Sequence, residues 1–121
     1  MSGDLIICTR ITRPSHGSPL VGPNNRQLVS AELRAFAAMY WPSSQVQNAI
    51  DIAECESGGW TGAWAFEGED SRGLFQLNVE AHPDLLTYDL FDPQINAYFA
   101  SGLWLREGWA PWSCAEQLQL K

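Results

Sequence analysis

The chain has 121 residues and a mass of 13.5 kDa, 45 % hydrophobic and 17 % charged, which suits one domain with a modest core and excludes a disordered chain. Fourteen acidic residues against seven basic ones give a net charge of −7. Lys and Arg do not cluster, so no nucleic acid is expected as a partner. No apolar run approaches the roughly 20 residues that span a bilayer, and Asp4 stands where a Sec signal needs positive charge, so neither a membrane span nor such a signal is expected.

Residues 1–28 carry Pro14, Pro19, Pro23, Gly17, Gly22 and Asn24-Asn25, chain breakers dense enough to read as an irregular N-terminal arm. Residues 29–121 read as the folded domain. Ser30 is expected to cap a first helix with Leu33, Phe36, Ala37 and Tyr40 on its apolar face, ended by Pro42. Ser43 or Ser44 then starts a second, where Val46, Ala49, Ile50 and Ala53 keep helical spacing until Gly58-Gly59. From Trp60 to Asp70 no helical period survives, and a loop or short hairpin is expected. Gly73-Leu-Phe-Gln-Leu-Asn78 suits a short strand or buried turn. Asp92-Pro93 is a strong helix start, with Ile95, Phe99 and Leu103 expected on the inner face and Gly108 as the stop. Trp109 to Cys114 reads as a compact aromatic loop. The fold class is mainly α with a small β element (α+β).

Three cysteines, Cys8, Cys55 and Cys114, form no C-x-x-C pair, which argues against a zinc ribbon or a thioredoxin-type motif. On composition alone Cys55 and Cys114 are equally a disulfide or two buried thiols. Glu80, His82 and Asp84 lack ligand spacing around Pro83, so no metal and no other cofactor is expected. His16 and His82 are isolated.

The most informative segment is Ala53-Glu-Cys-Glu-Ser-Gly-Gly-Trp60. It sets Glu56 at the C-terminal end of an apolar-faced helix. The partial negative charge of that helix end and burial against Trp60 or Phe75 both favour the protonated carboxyl. A retained proton is what a general acid for a glycosidic oxygen requires. Position alone suits a cap or a salt bridge better than an acid.

Glu56-Ser57-Gly58 followed by Gly73-Leu74-Phe75-Gln76-Leu77-Asn78 resembles the lysozyme superfamily, most closely the soluble lytic transglycosylases and goose-type lysozymes. There a Glu-Ser pair closing a helix precedes a Gly-Leu-Met-Gln-Ile-type segment, and the Glu is the catalytic acid. Cys55-Glu-Ser-Gly-Gly59 and Gly108-Trp-Ala-Pro-Trp-Ser-Cys114 resemble the resuscitation-promoting factors of actinobacteria. By that resemblance Cys55 and Cys114 form a disulfide, worth about 4 kcal/mol in the chain-entropy model. Asp92-Pro-x-x-Asn96 resembles the helix start that follows the Gln segment in transglycosylases. The similarity runs over residues 30–114.

The resemblance implies a lysozyme-like fold of helices around a catalytic helix. The implied activity is cleavage of the β-1,4 bond between N-acetylmuramic acid and N-acetylglucosamine in peptidoglycan, by a muramidase (lysozyme) or a lytic transglycosylase, acting as a monomer. Glu56 is the acid, and Gln76 and Asn78 bind N-acetyl groups. Ser57 either steadies Glu56 or caps the turn. Trp60 or Trp64 is the expected sugar-stacking ring, whereas Trp104, Trp109 and Trp112 are expected to pack. The Ala-Tyr-Asn segment that supplies a late tyrosine in transglycosylases is missing, with Tyr88 and Tyr98 as imperfect substitutes. A second carboxylate would come from Asp70 or Glu67, with Glu69 having an equal formal claim and a solvated acidic loop as the alternative. A wall enzyme without a Sec signal suggests a phage lysin, a virion enzyme or another export route. The competing functional reading is a non-catalytic wall-binding or virion module with the same fold.

Overall fold

The computed structural model of the protein describes residues 21–120. The arm up to Leu20, with Cys8 and His16, lies outside the described residues, as does Lys121. Helix α1 (Ser30–Tyr40) leads through a 3-10 turn (Ser43–Gln45) into α2 (Val46–Ser57). Strands β1 (Trp64–Ala65), β2 (Ser71–Arg72) and β3 (Leu77–Asn78) form an antiparallel sheet in that order. A 3-10 turn (Pro83–Thr87), α3 (Pro93–Glu107) and α4 (Ser113–Leu118) complete the chain. The fold is mainly helical with a small sheet, as the sequence implied.

Helix α2 is the axis. Val46, Ala49, Ile50, Ile52, Ala53, Glu56 and Ser57 are all buried, so more than one face of the helix is covered. It packs against both α1 and α4. Gly58 closes it at φ +66°, with its N–H donating to Glu54 O, a left-handed cap that glycine adopts without a Cβ penalty. The core joins these helices to Leu74, Phe75 and Leu77 of the turn and sheet and to Trp41, Trp109 and Trp112. Trp41 and Trp109 stack at 5.8 Å. Trp109 and Trp112 are buried packing residues, and Trp104 lies half-exposed 5.9 Å from Trp109.

Four local expectations need correction. Val29, rather than Ser30, precedes the first turn of α1, and the Glu32 carboxylate accepts its N–H at 3.1 Å. The Ser30 hydroxyl instead donates to Glu54 of α2 at 3.1 Å. Ser43 and Ser44 make the 3-10 turn rather than capping α2 directly. On α3 the buried residues are Asn96, Ala97, Ala100, Ser101 and Leu103, while Ile95 and Phe99 pack against the core only partly buried. Helix α3 packs against α1, where the Tyr98 ring meets Tyr40 edge-on at 5.7 Å and Gln94 donates to the Tyr40 hydroxyl at 3.1 Å. Finally, the aromatic tail is a turn only as far as Trp112; Cys114 lies in α4.

The start of α3 follows its sequence signature: Asp92 Oδ1 accepts the N–H groups of Gln94 at 2.9 Å and Ile95 at 3.1 Å. Residues 21–28 run beside the end of α2. Gly22 N–H donates to Gly62 O and Leu28 N–H to Gly59 O, both at 2.9 Å, and Gln27 bridges Trp60. No described helix is long and apolar enough to cross a membrane.

Candidate active site

Glu56 sits on the last turn of α2, only 2 % exposed. Its Oε2 accepts the backbone N–H of Cys114 at 2.9 Å and the Ser113 hydroxyl at 3.2 Å. Both donors belong to the first turn of α4, which the Cys55–Cys114 disulfide ties to α2 one residue before Glu56. The Glu56 carboxyl is thus shielded from bulk water and tied to α4. The side chain opens onto a pocket of about 190 Å³.

The β-hairpin lines the pocket through Glu69 and Ser71. Gln76 and Asn78 add two amides to the lining, and Trp112 and Ser113 complete it from the start of α4. Gln76 adopts φ +49°, rare for a residue with a side chain and a mark of a conformation that its surroundings impose. Its Nε2 donates to Gly73 O at 3.0 Å and Ala63 O at 3.1 Å, which fixes the amide and turns its remaining function into that of an acceptor. Asn78 Oδ1 accepts the N–H groups of Glu80 and Ala81, so this side chain shapes its own turn while lining the pocket.

Glu56, Gln76 and Asn78 thus share one pocket with Glu69, whereas Ser57, Trp60, Trp64, Glu67, Asp70 and Tyr98 do not line it. Strand register separates the two halves of the hairpin. Ala65, Ser71 and Asn78 pair across one face of the sheet, and Trp64, Arg72 and Leu77 across the other. Asp70 goes with the second set. Its two oxygens accept from Arg72 Nε and Nη2, each at 2.9 Å, and Trp64 Nε1 donates to it at 2.8 Å. The Arg72 guanidinium also lies 4.8 Å from the centroid of the Trp64 ring. Glu67 is exposed on the hairpin tip. Trp60 is half-buried beside Gln27. Ser57 is fully buried, donating to Ala53 O and accepting from Gly59 N–H, which leaves it the capping role. Tyr98 borders two larger hollows, of about 350 and 390 Å³. Neither is lined by Glu56, and volume alone does not make chemistry; the smaller pocket holds the buried carboxyl and the converging amides.

Glu69 lines the pocket although its residue type alone set it no higher than Glu67 or Asp70. The signal for it was the alternation through the hairpin, which puts residues 69 and 71 on one side and 70 and 72 on the other. Ser113 and Trp112 also line the pocket, next to Cys114, whose disulfide to Cys55 the cysteine resemblance implied.

The Asp70–Arg72 pair has a measurable consequence. The Arg72 hydrogen bonds hold the Asp70 carboxyl below its usual range, partial burial opposes this, and the Trp64 indole adds to the lowering. A lowered folded-state value stabilises the fold above the unfolded-state pKa of about 3.9, and that stabilisation is lost as pH falls through the folded-state value. Asp70→Asn is expected to cost up to about 1 kcal/mol at neutral pH, with the gap to the parent closing in acid. Urea unfolding of both proteins across a pH series reads this directly. A gap that stays constant with pH would remove the pair from the account.

A buried carboxyl at a helix end shares its pocket with the amides of Gln76, from the turn before β3, and Asn78 of β3, within a mainly helical domain. The chain belongs to the family described as the lysozyme-like domain, whose match covers residues 35–114. Neither a curated protein nor a solved structure matches it. The family is generally enzymatic, of glycosidase type, and directed at the peptidoglycan of the cell wall.

Proposed function

We propose that the protein cleaves the β-1,4 bond between N-acetylmuramic acid and N-acetylglucosamine, with Glu56 as the acid that protonates the leaving oxygen. The observation that carries this is the placement of Glu56: buried, held through Oε2 by two donors, and lining one pocket with Gln76 and Asn78. The Glu56 carboxyl supplies the transferable proton. Proton transfer breaks the glycosidic bond as positive charge develops on the sugar ring, and Glu56, now an anion, receives a proton from the incoming nucleophile in the second half. The Gln76 amide oxygen accepts the N–H of an N-acetyl group, and Asn78 supports the same sugar. The site of action is the wall, outside the cytoplasm, where a disulfide persists.

Two nucleophiles can complete the reaction. The substrate's own C6 hydroxyl gives a 1,6-anhydro-muramic end, as in a lytic transglycosylase. Water gives a reducing muramic end, as in a lysozyme. Glu69 favours the second: it adds another carboxyl to the pocket wall, on the side of the hairpin that Asp70 does not face. Digestion of purified peptidoglycan followed by mass spectrometry of the soluble products is expected to show reducing-end muropeptides whose yield falls in Glu69→Gln. Exclusively anhydro products would make Glu56 act alone with the substrate's N-acetyl group. No soluble products from folded protein would overturn the enzymatic reading.

A further inference from the structure

We infer that Asn96 is a positioning residue for the pocket, acting through the turn at residues 72–75; the inference rests on the glycan-cleavage reading only for its kinetic consequence. Asn96 lies in the first turns of α3 and is 0 % exposed. Its Nδ2 donates to Arg72 O at 2.9 Å and to Leu90 O at 2.8 Å, and its Oδ1 accepts Phe75 N–H at 2.9 Å. One side chain therefore grips both ends of the turn and ties it to the loop before α3. A buried amide is costly unless its donors and acceptor are satisfied, and here both donors and the acceptor are in use.

The fit around this grip is close. Gly73 stands in the turn at φ +79°, and a Cβ there would collide with Leu90 O and with Asn96 Nδ2. Asn96 and Gly73 form a matched pair in which the amide occupies the space that the missing side chain leaves.

Two routes lead from the gripped turn to the reacting groups. Gln76 follows the turn directly, and its Nε2 bonds back to Gly73 O. Phe75 O accepts the Trp112 indole N–H at 2.8 Å, and Trp112 immediately precedes the Ser113 and Cys114 donors to Glu56. The second route ends at a group that the disulfide and α4 also hold. The first runs through the turn that Asn96 grips at both ends, so loss of Asn96 acts mainly on Gln76 and on substrate binding.

The test uses Asn96→Ser, which keeps an acceptor for Phe75 N–H and loses the two-donor grip, with Asn96→Gln as the alternative should the serine variant fail to fold. Two readouts are taken on folded protein: the ¹⁵N NMR resonance of the Gln76 side-chain amide, and steady-state kinetics on soluble peptidoglycan fragments. We expect the Gln76 resonance to shift, with KM rising about tenfold and kcat changing far less. A fall in melting temperature with the Gln76 resonance and KM both unchanged would overturn the inference and leave Asn96 a fold stabiliser. If the parent itself cleaves nothing, the glycan-cleavage reading fails, and the NMR readout still decides whether Asn96 positions Gln76.

Discussion

Glu56→Gln is expected to lower the rate of peptidoglycan cleavage by roughly 10²–10⁴-fold, the range that a positioned general acid supplies. The substitution is nearly isosteric, and the amide oxygen it introduces would still accept from Cys114 N–H and Ser113 Oγ, so the first turn of α4 keeps its contact with α2. The transferable proton is lost. The effect should therefore appear in kcat, with KM for soluble fragments close to that of the parent. Glu56→Ala makes the useful contrast. It removes the acceptor as well as the proton and strands a buried Cys114 N–H, at a cost of about 1–3 kcal/mol in stability. The measurement is muropeptide release from purified walls, paired with urea unfolding of both variants. Release by the glutamine variant at the parent rate would refute the assignment of Glu56 as the acid.

Two local rules made the place of Glu56 legible in the sequence, while its reading as the acid came from the resemblance of Glu56-Ser57-Gly58 and the Gly73–Asn78 segment. Apolar spacing through Val46, Ala49, Ile50 and Ala53 defined a helix, and Gly58 defined where it stopped, which left Glu56 on the last turn. Gln76 was legible as part of a Gly-Leu-Phe-Gln segment, though nothing local announced its positive φ. The choice among Glu67, Glu69 and Asp70 was harder. In a hairpin of two-residue strands a shift of one position exchanges the faces, and long-range hydrogen bonds such as Gly73 N–H to Ala63 O and Val79 N–H to Asp70 O set the register. The inner face of α3 was legible in part: Leu103 is buried and Ile95 and Phe99 pack partly buried against the core, while the most buried places also go to Asn96, Ala97 and Ala100, which apolar spacing does not announce. Ser113 needed the most tertiary information, since it reaches Glu56 across 57 positions of sequence.

That reach depends on the Cys55–Cys114 disulfide, which links residues 59 positions apart. Its removal is expected to produce the largest loss of stability of any single change considered. Closing a loop of that length is worth about 4 kcal/mol in the chain-entropy model, a large share of the ~5–15 kcal/mol that holds a typical domain together. The functional effect has a separate origin. The first turn of α4 supplies both donors to Glu56 Oε2, and α4 is only six residues long, too short to hold its place on helical propensity. Without the bond its place depends on the packing of Cys114 and Ala115, both buried, and on the Trp112 indole bond to Phe75 O. Reduced protein, or the Cys55→Ser/Cys114→Ser double variant, is therefore expected to unfold at markedly lower urea and to cleave peptidoglycan more slowly even where it remains folded. Reoxidation should restore both properties to the reduced parent but not to the double variant. Thiol titration confirms the redox state, and activity is compared below the onset of unfolding for each form. Full activity in folded, fully reduced protein would show that packing alone keeps Ser113 and Cys114 against Glu56. In that case the disulfide acts on the unfolded chain and has no part in the pocket.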